Sequence, residues 1–247
     1  MRCIHVDLRK SIADFVKVRA IFRIPRLPVV TGNNESMTST VVVFLVVASI
    51  FSVGDWWAVQ VAKKSLEYLC KPLATVAFLG AAIAILNADG VSQTWRIIAF
   101  VFCLLGDIFL MLPHDAFVPG LASFAVAQIC FAVSLLTQDA TLTRLVVGLI
   151  IVVPTTLLLA RRFVKSISTS GHKELVVPVV VYMMVIAAMA TGAIAGGTAI
   201  GIAGAIFFLL SDSLIAEHRF VKERSWQPVG VMVTYHMALA GLALGLL

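Results

Sequence analysis

Residues 95–112 read WRIIAFVFCLLGDIFLML, an apolar run in which Arg96 and Asp107 are the charged residues. A helix needs about 20 mostly apolar residues to cross a hydrocarbon core about 30 Å thick. This run is therefore predicted to cross a membrane as a helix, with a carboxyl group inside the membrane.

The same pattern recurs along the whole chain of 247 residues. Hydrophobic residues make up 60% and charged residues 13%, with a mean hydropathy of +1.02. A soluble domain carries about 25% charged residues, so this chain has too little charge for a water-facing surface. The sequence predicts an all-α fold, a polytopic transmembrane bundle of eight helices. The predicted spans are 38–53, 72–87, 95–112, 117–136, 144–160, 175–191, 197–217 and 228–247.

Basic residues concentrate in short loops and in the first 37 residues, which gives a net charge of +6. Basic loops beside membrane spans are topology signals, so we expect no nucleic-acid partner. Residues 1–37 are interpreted as a basic tail, which is a surface helix, a targeting segment or the result of an upstream start. The last is favoured because Met37 directly precedes the first span. Residues 38–247 are interpreted as one membrane domain.

The distribution of Lys and Arg predicts how the bundle is oriented. After Met37, loops that follow odd-numbered spans contain ten basic residues and the opposite side contains two. The positive-inside rule therefore places the odd-numbered loops in the cytoplasm, although the basic tail opposes this bias. A bacterial plasma membrane is the favoured location and the endoplasmic reticulum is the alternative, while the oligomeric state is left open.

The four cysteines show no C-x-x-C spacing, and His236 is the one histidine within a predicted span. We therefore expect no disulfide framework, no metal site and no cofactor.

Two carboxyl groups, those of Asp107 and Asp212, lie within predicted spans. An unpaired carboxylate at the centre of a membrane costs at least about 2.5 kcal/mol, so both are predicted to face the bundle interior. Their surroundings are similar, since 102–107 reads FCLLGD and 207–212 reads FFLLSD. The four-span offset predicts a parallel 4+4 internal repeat.

The two aspartates are also predicted to lie at one depth. Asp107 lies six residues before Pro113 and Asp212 six before His218, which is about 9 Å along a helix in each case. The other candidate site residues lie towards the same side of the membrane. They are His236, Tyr235, Gln128, Ser211, Ser213 and Lys71.

Two carboxyl groups in one apolar site can provide an acid and a base at the same pH. This pairing suits hydrolysis through an oxocarbenium ion, peptide hydrolysis by an aspartyl dyad, and proton-coupled transport. The pair by itself does not select one of these.

Several motifs together resemble the YhhN family, which includes the lysoplasmalogenases. They are LEYLCKPL at 66–73, LGDIFLMLP at 105–113, GLASF at 120–124, LSDSL at 210–214 and TYH at 234–236. The resemblance covers residues 40–247 and has the same number and order of spans.

This resemblance implies a hydrolase that cleaves the vinyl ether bond of lysoplasmalogen, a lysophospholipid, within a lipid membrane. The products are a fatty aldehyde and glycerophospho-ethanolamine or glycerophospho-choline. The family's catalytic aspartates correspond to Asp107 and Asp212, and Gln128 stands where many relatives have His. Asp212 is expected to be the base, because Ser211 and Ser213 flank it.

Two other functions are left open by the residues. Gly106-Asp107 is similar to the Gly-Asp of intramembrane aspartyl proteases, although Leu104 and Ser211 depart from their motifs. A proton-coupled carrier would show the same repeats and paired acids.

Overall fold

A computed structural model describes residues 34–85, 90–114, 116–138, 140–169 and 173–245. Within these ranges the chain forms eight α-helices, all long and apolar enough to cross a membrane, and a short 3-10 helix at Lys173–Leu175. The predicted eight-span, all-α fold is therefore confirmed. Most of the basic tail, residues 1–33, lies outside the described residues. The helices are α1 (Asn34–Gln60), α2 (Lys64–Ile85), α3 (Gly90–Met111), α4 (Phe117–Leu136), α5 (Leu142–Thr169), α6 (Val176–Gly196), α7 (Ala199–Phe220) and α8 (Gln227–Leu244).

Several helices are longer than the predicted spans. Helix α1 continues to Gln60 and so includes Asp55. Helix α2 begins at Lys64 and contains Pro72, which the sequence had placed at its start. Neighbouring helices and local adjustments satisfy the backbone groups that a proline frees inside a membrane helix, so Pro72 does not end α2.

Helices adjacent in sequence pack as hairpins, most extensively α1 with α2, α3 with α4, and α7 with α8. Helix α6 packs against both α4 and α5, and α8 closes the bundle against α1 and α2. Gly197 has a φ of 77° in the tight connection between α6 and α7, a conformation that favours glycine. The 4+4 repeat stays a prediction.

Glycines allow α7 and α8 to cross at very short distance. A Cβ atom added to Gly204 would lie 2.7 Å from the backbone nitrogen of Leu242 and 2.8 Å from the carbonyl carbon of Gly241. Small residues permit such approach between membrane helices, where packing drives association. The crossing fixes α7, which carries Asp212, relative to α8, which carries Tyr235.

Candidate active site

Asp107 lies on α3 and is fully buried in the bundle. Its Oδ2 accepts hydrogen bonds from Thr75 Oγ1 at 2.6 Å and from the Tyr235 hydroxyl at 2.9 Å. Lys71 Nζ lies 3.4 Å from the other oxygen, Oδ1. Hydrogen bonds to an ionised carboxylate are stronger than those between neutral groups, so these donors suit an anion. We call these four residues the Asp107 cluster.

Helix α2 supplies two members of this cluster because Lys71 and Thr75 are four residues apart and share one helix face. Lys71 is only 5% exposed, and its ammonium lies 5.9 Å from the centre of the Tyr235 ring. A buried ammonium group requires a nearby counter-charge, which Asp107 provides. The structure thus places Lys71 inside the bundle, beside a predicted catalytic residue.

Asp55 on α1 is a second buried acid beside Asp107, and it was not predicted from the sequence. It is fully buried, and its carboxyl group lies within electrostatic range of Lys71 and Asp107. Among the described residues neither of its oxygens has a hydrogen-bond partner. The predicted first span ended at residue 53, yet the apolar run continues through Trp56 to Val61, and this continuation would have indicated Asp55.

His236 lies beside the Asp107 cluster. It is 2% exposed, and its Nδ1 accepts a hydrogen bond from Trp56 Nε1 at 2.9 Å. Because Nδ1 is an acceptor, the neutral ring carries its proton on Nε2. The ring also packs against Tyr235, with centroids 5.6 Å apart. The structure therefore groups His236 with Tyr235 and Asp107, as their predicted depths indicated.

Asp212 on α7 has a different partner. Its Oδ2 accepts a hydrogen bond from the Tyr182 hydroxyl of α6 at 2.7 Å, and the carboxyl group is partly exposed. Gln128 of α4 is fully buried and lies beside Tyr182. Tyr182 was not among the predicted site residues. It lies inside an apolar run, and the sequence does not indicate which helix such a tyrosine will face.

The serines that flank Asp212 do not act as expected. Ser211 Oγ donates to the carbonyl of Val231 at 3.2 Å, and Ser213 Oγ donates to the carbonyl of Leu209 at 2.7 Å. Serine hydroxyls in membrane helices often bond to backbone carbonyls in this way. The argument that these serines stabilise a charged Asp212 is therefore wrong.

The equal depth predicted for the two aspartates stays a prediction, because a helix can continue past the membrane surface, and the two aspartates lie at different distances from their helix ends. Asp107 is four residues from the end of α3, and Asp212 is eight residues from the end of α7. These separations correspond to about 6 Å and about 12 Å along their own helices. The difference arises because α7 continues to Phe220, beyond the predicted end at residue 217.

Asp212 and Tyr182 open into a cleft between α3, α4, α5, α6 and α7. The cleft comprises about 630 Å³ of space between the helices, part of it open to the outside. Asp212, Tyr182 and Ser213 are the polar residues of its lining. The remaining lining is apolar and comprises Leu110, Phe117, Leu121, Phe124, Phe163, Val179, Met183, Ile186, Leu209, Ile215, Ala216 and Phe220.

Phe124 lies between this cleft and the Asp107 cluster. Its ring lines the cleft and packs edge-on against Tyr235, with centroids 5.8 Å apart. The ring also rests on Gly106, where an added Cβ would lie 2.6 Å from Phe124 Cε2. The two aspartates thus belong to adjacent polar groups with different partners, and their joint action stays a prediction.

Comparisons with known proteins agree with the arrangement of helices and motifs. The sequence profile of the YhhN family matches residues 66–246. Two curated relatives, from Mycobacterium bovis and Mycobacterium tuberculosis, are both named lysoplasmalogenase. Each is 31% identical to this chain over 154 residues, which are 60% of this chain and 58% of the relative. The match thus spans less than two thirds of either relative, and no solved structure matches the chain significantly.

Proposed function

Because the chain belongs to the YhhN family, we propose that it is a membrane hydrolase that cleaves the vinyl ether bond of a lysoplasmalogen. The products would be a fatty aldehyde and a glycerophospho-ethanolamine or glycerophospho-choline. The observation that carries this proposal is the cleft, in which Asp212 and Tyr182 are set into an apolar wall among membrane helices. The apolar lining of the cleft suits a lipid chain and places the Asp212 carboxyl group beside it.

In this proposal Asp212 is the general acid. It has one hydrogen-bond donor, Tyr182, whereas Asp107 has two donors and the Lys71 ammonium at 3.4 Å, so Asp212 is the better suited of the two to hold a proton. Asp212 transfers this proton to the β-carbon of the vinyl ether. The double bond supplies the electron pair for the new C–H bond, and an oxocarbenium ion remains on the carbon next to the ether oxygen.

Asp107 is the anionic partner in the proposal. Its negative charge stabilises the oxocarbenium ion, and the Tyr235 hydroxyl passes the proton of the attacking water to it. This step requires Phe124 to turn away from Tyr235 when the substrate enters. The assignment reverses the expectation that Asp212 is the base.

The remaining steps restore the enzyme. Water adds to the cation and forms a hemiacetal. Asp107 then gives up its proton through Tyr235 to water, and Asp212 takes one up from water, which restores both groups. The hemiacetal hydroxyl then loses its proton as the glycerol oxygen gains one, which breaks the C–O bond and releases the aldehyde. One water molecule is consumed for each lipid cleaved.

The test compares the purified protein with its Asp107→Asn and Asp212→Asn variants in detergent. We expect the wild type to release aldehyde from an alkenyl lysophospholipid and no fatty acid from the ester analogue. Each variant should lose at least about 100-fold in rate, the usual effect of removing an acid or base.

Glu223→Gln is the matched control, because Glu223 is an acid whose side chain is 83% exposed outside the cleft. It should keep full activity. Turnover that persists in either aspartate variant would refute the two-aspartate mechanism. Release of fatty acid instead of aldehyde by the wild type would refute the proposed reaction.

A further inference from the structure

The cleft runs along α7 and ends beside a basic side chain. Its lining includes α7 residues from Leu209 to Phe220, so it follows the helix for about 16 Å. Phe117 and Phe220 flank the end nearest the C-terminus of α7, with ring centroids 5.9 Å apart. The Arg219 guanidinium carbon lies 4.1 Å from the centre of the Phe117 ring. An arginine is thus held by a cation–π contact at this end, which we call the mouth of the cleft.

Arg219 and Asp212 have a fixed relation on α7. They are seven residues apart, so they share one face of the helix and are separated by about 10 Å along its axis. In a lysoplasmalogen, seven bonds join the carbon that receives the proton to the phosphorus atom. At about 1.2 Å per bond in an extended chain, this is about 8 Å. The reach of the arginine side chain covers the remaining difference.

The position of Arg219 singles it out for a role at the cleft. Its guanidinium packs on Phe117 and lies 6.0 Å from the centre of the Phe220 ring, and both rings line the cleft.

We propose that Arg219 binds the phosphate of the lysophospholipid headgroup at the mouth of the cleft and thereby positions the ether bond at Asp212. This inference rests on the proposed function. A guanidinium group pairs with phosphate through two parallel hydrogen bonds, which fixes orientation as well as affinity. The substrate then lies along α7, with its headgroup at the membrane surface and its chain in the apolar part of the cleft.

The test measures equilibrium binding, so that it does not depend on turnover. The purified full chain in detergent is titrated with a radiolabelled lysophosphatidylethanolamine that has a saturated alkyl ether chain. A parallel titration uses the matching alkylglycerol, which lacks the phosphate. Arg219→Gln should weaken binding of the phosphate lipid about tenfold, the loss expected for one charge-assisted contact, and leave binding of the alkylglycerol unchanged.

Two further variants complete the design. Arg219→Lys should restore part of the affinity, because it keeps the charge and loses the fork of donors. Arg161→Gln is the control. It removes an exposed positive charge on α5, at the same end of the bundle as Arg219, and Arg161 does not line the cleft, so both affinities should stay unchanged.

Three results would overturn the inference. The first is that Arg219→Gln weakens binding of both lipids equally, which would indicate a structural role for the Phe117 contact. The second is that it changes the affinity for neither lipid. The third is that Arg161→Gln weakens binding of the phosphate lipid as much as Arg219→Gln does. Binding that depends on Arg219 in a protein that releases no aldehyde would support the phosphate site and refute the proposed hydrolysis. The two proposals therefore fail separately.

Discussion

At the scale of single residues, a tyrosine hydroxyl contacts each of the two predicted catalytic aspartates. Tyr235 donates to Asp107 and Tyr182 donates to Asp212, at 2.9 Å and 2.7 Å. A tyrosine can reach a carboxyl group inside a bundle while its ring packs against apolar neighbours. The hydroxyl thereby holds each aspartate in one position. Asp107 has the Lys71 ammonium beside it as well.

The contact between Tyr182 and Asp212 leads to a first prediction. Tyr182→Phe removes one hydrogen bond to a charged or proton-bearing group, and such a bond contributes about 1.5 kcal/mol. We expect aldehyde release to fall about tenfold, measured as kcat in detergent. Tyr68→Phe is the control because Tyr68, the third tyrosine of the chain, is 45% exposed. Equal activity in the two variants would exclude a role for Tyr182 in the reaction.

A second prediction concerns the buried ion pair. Lys71→Met leaves the Asp107 carboxylate without its counter-charge, and loss of one partner of a buried pair costs about 3 kcal/mol or more. We expect a large drop in stability, measured by thermal unfolding in detergent. The double variant Lys71→Met, Asp107→Asn should recover most of this loss, because the unpaired charge is gone. If the two losses simply add, Lys71 and Asp107 do not interact.

Residues also show what the sequence could and could not predict. Asp107 and Asp212 were found because a carboxyl group in an apolar run is conspicuous at any depth. Thr75, Trp56 and Tyr182 were not found, because their roles depend on partners 30 or more residues away. Such contacts become visible only when the packing of α2, α6 and α8 is known.

At the scale of helices, most errors concerned where each helix ends. Helix α4 has the predicted bounds, 117–136, because Pro113 and turn residues precede it. Helix α5 continues two turns past the predicted residue 160 to Thr169, carrying Arg161 and Arg162 beyond the apolar run. Hydropathy marks the part of a helix that lies in hydrocarbon, whereas backbone hydrogen bonding continues into the headgroup region. The missed Asp55 has the same cause.

The crossing of α7 and α8 leads to a third prediction. Gly204→Ala adds a Cβ within 2.8 Å of two backbone atoms of α8, which cannot move independently of their helix. Overpacking of this kind costs between about 1 and 3 kcal/mol, so the thermal unfolding temperature should fall. Gly230→Ala is the control, since its added Cβ meets side chains of Trp226 and Leu214 at 3.1–3.4 Å that can move. Equal stability of both variants would contradict the close crossing.

At the scale of the whole molecule, the carboxyl groups and the mouth of the cleft lie towards the ends of α3 and α7. Both helices end at loops that follow odd-numbered spans. The basic residues at these loops, including Arg219, Lys222 and Arg224, therefore surround the end at which a headgroup would bind. If these loops face the cytoplasm, the substrate enters from the cytoplasmic leaflet.

The orientation of the bundle is the fourth prediction. Ten basic residues in the odd-numbered loops outweigh the two on the other side, so we expect those loops to be cytoplasmic. Single cysteines introduced at Lys222 and at Thr141, both exposed, report the two sides. Cys70, Cys103 and Cys130 are buried and give little background, and Cys3 is replaced by serine. In intact cells an impermeant maleimide should label the cysteine at position 141, and the one at 222 only after permeabilisation.

The basic tail makes this test discriminating, because it adds seven positive charges on the side opposite the odd-numbered loops. The full chain and a version that begins at Met37 are therefore compared in the same cells. We expect the same labelling in both, since ten charges spread over short loops exceed the nine, two plus seven, on the other side. Labelling at 222 in intact cells with the full chain alone would show that the tail sets the orientation. Labelling at 222 in both would contradict the predicted orientation and place the Arg219 end of the cleft in the outer leaflet.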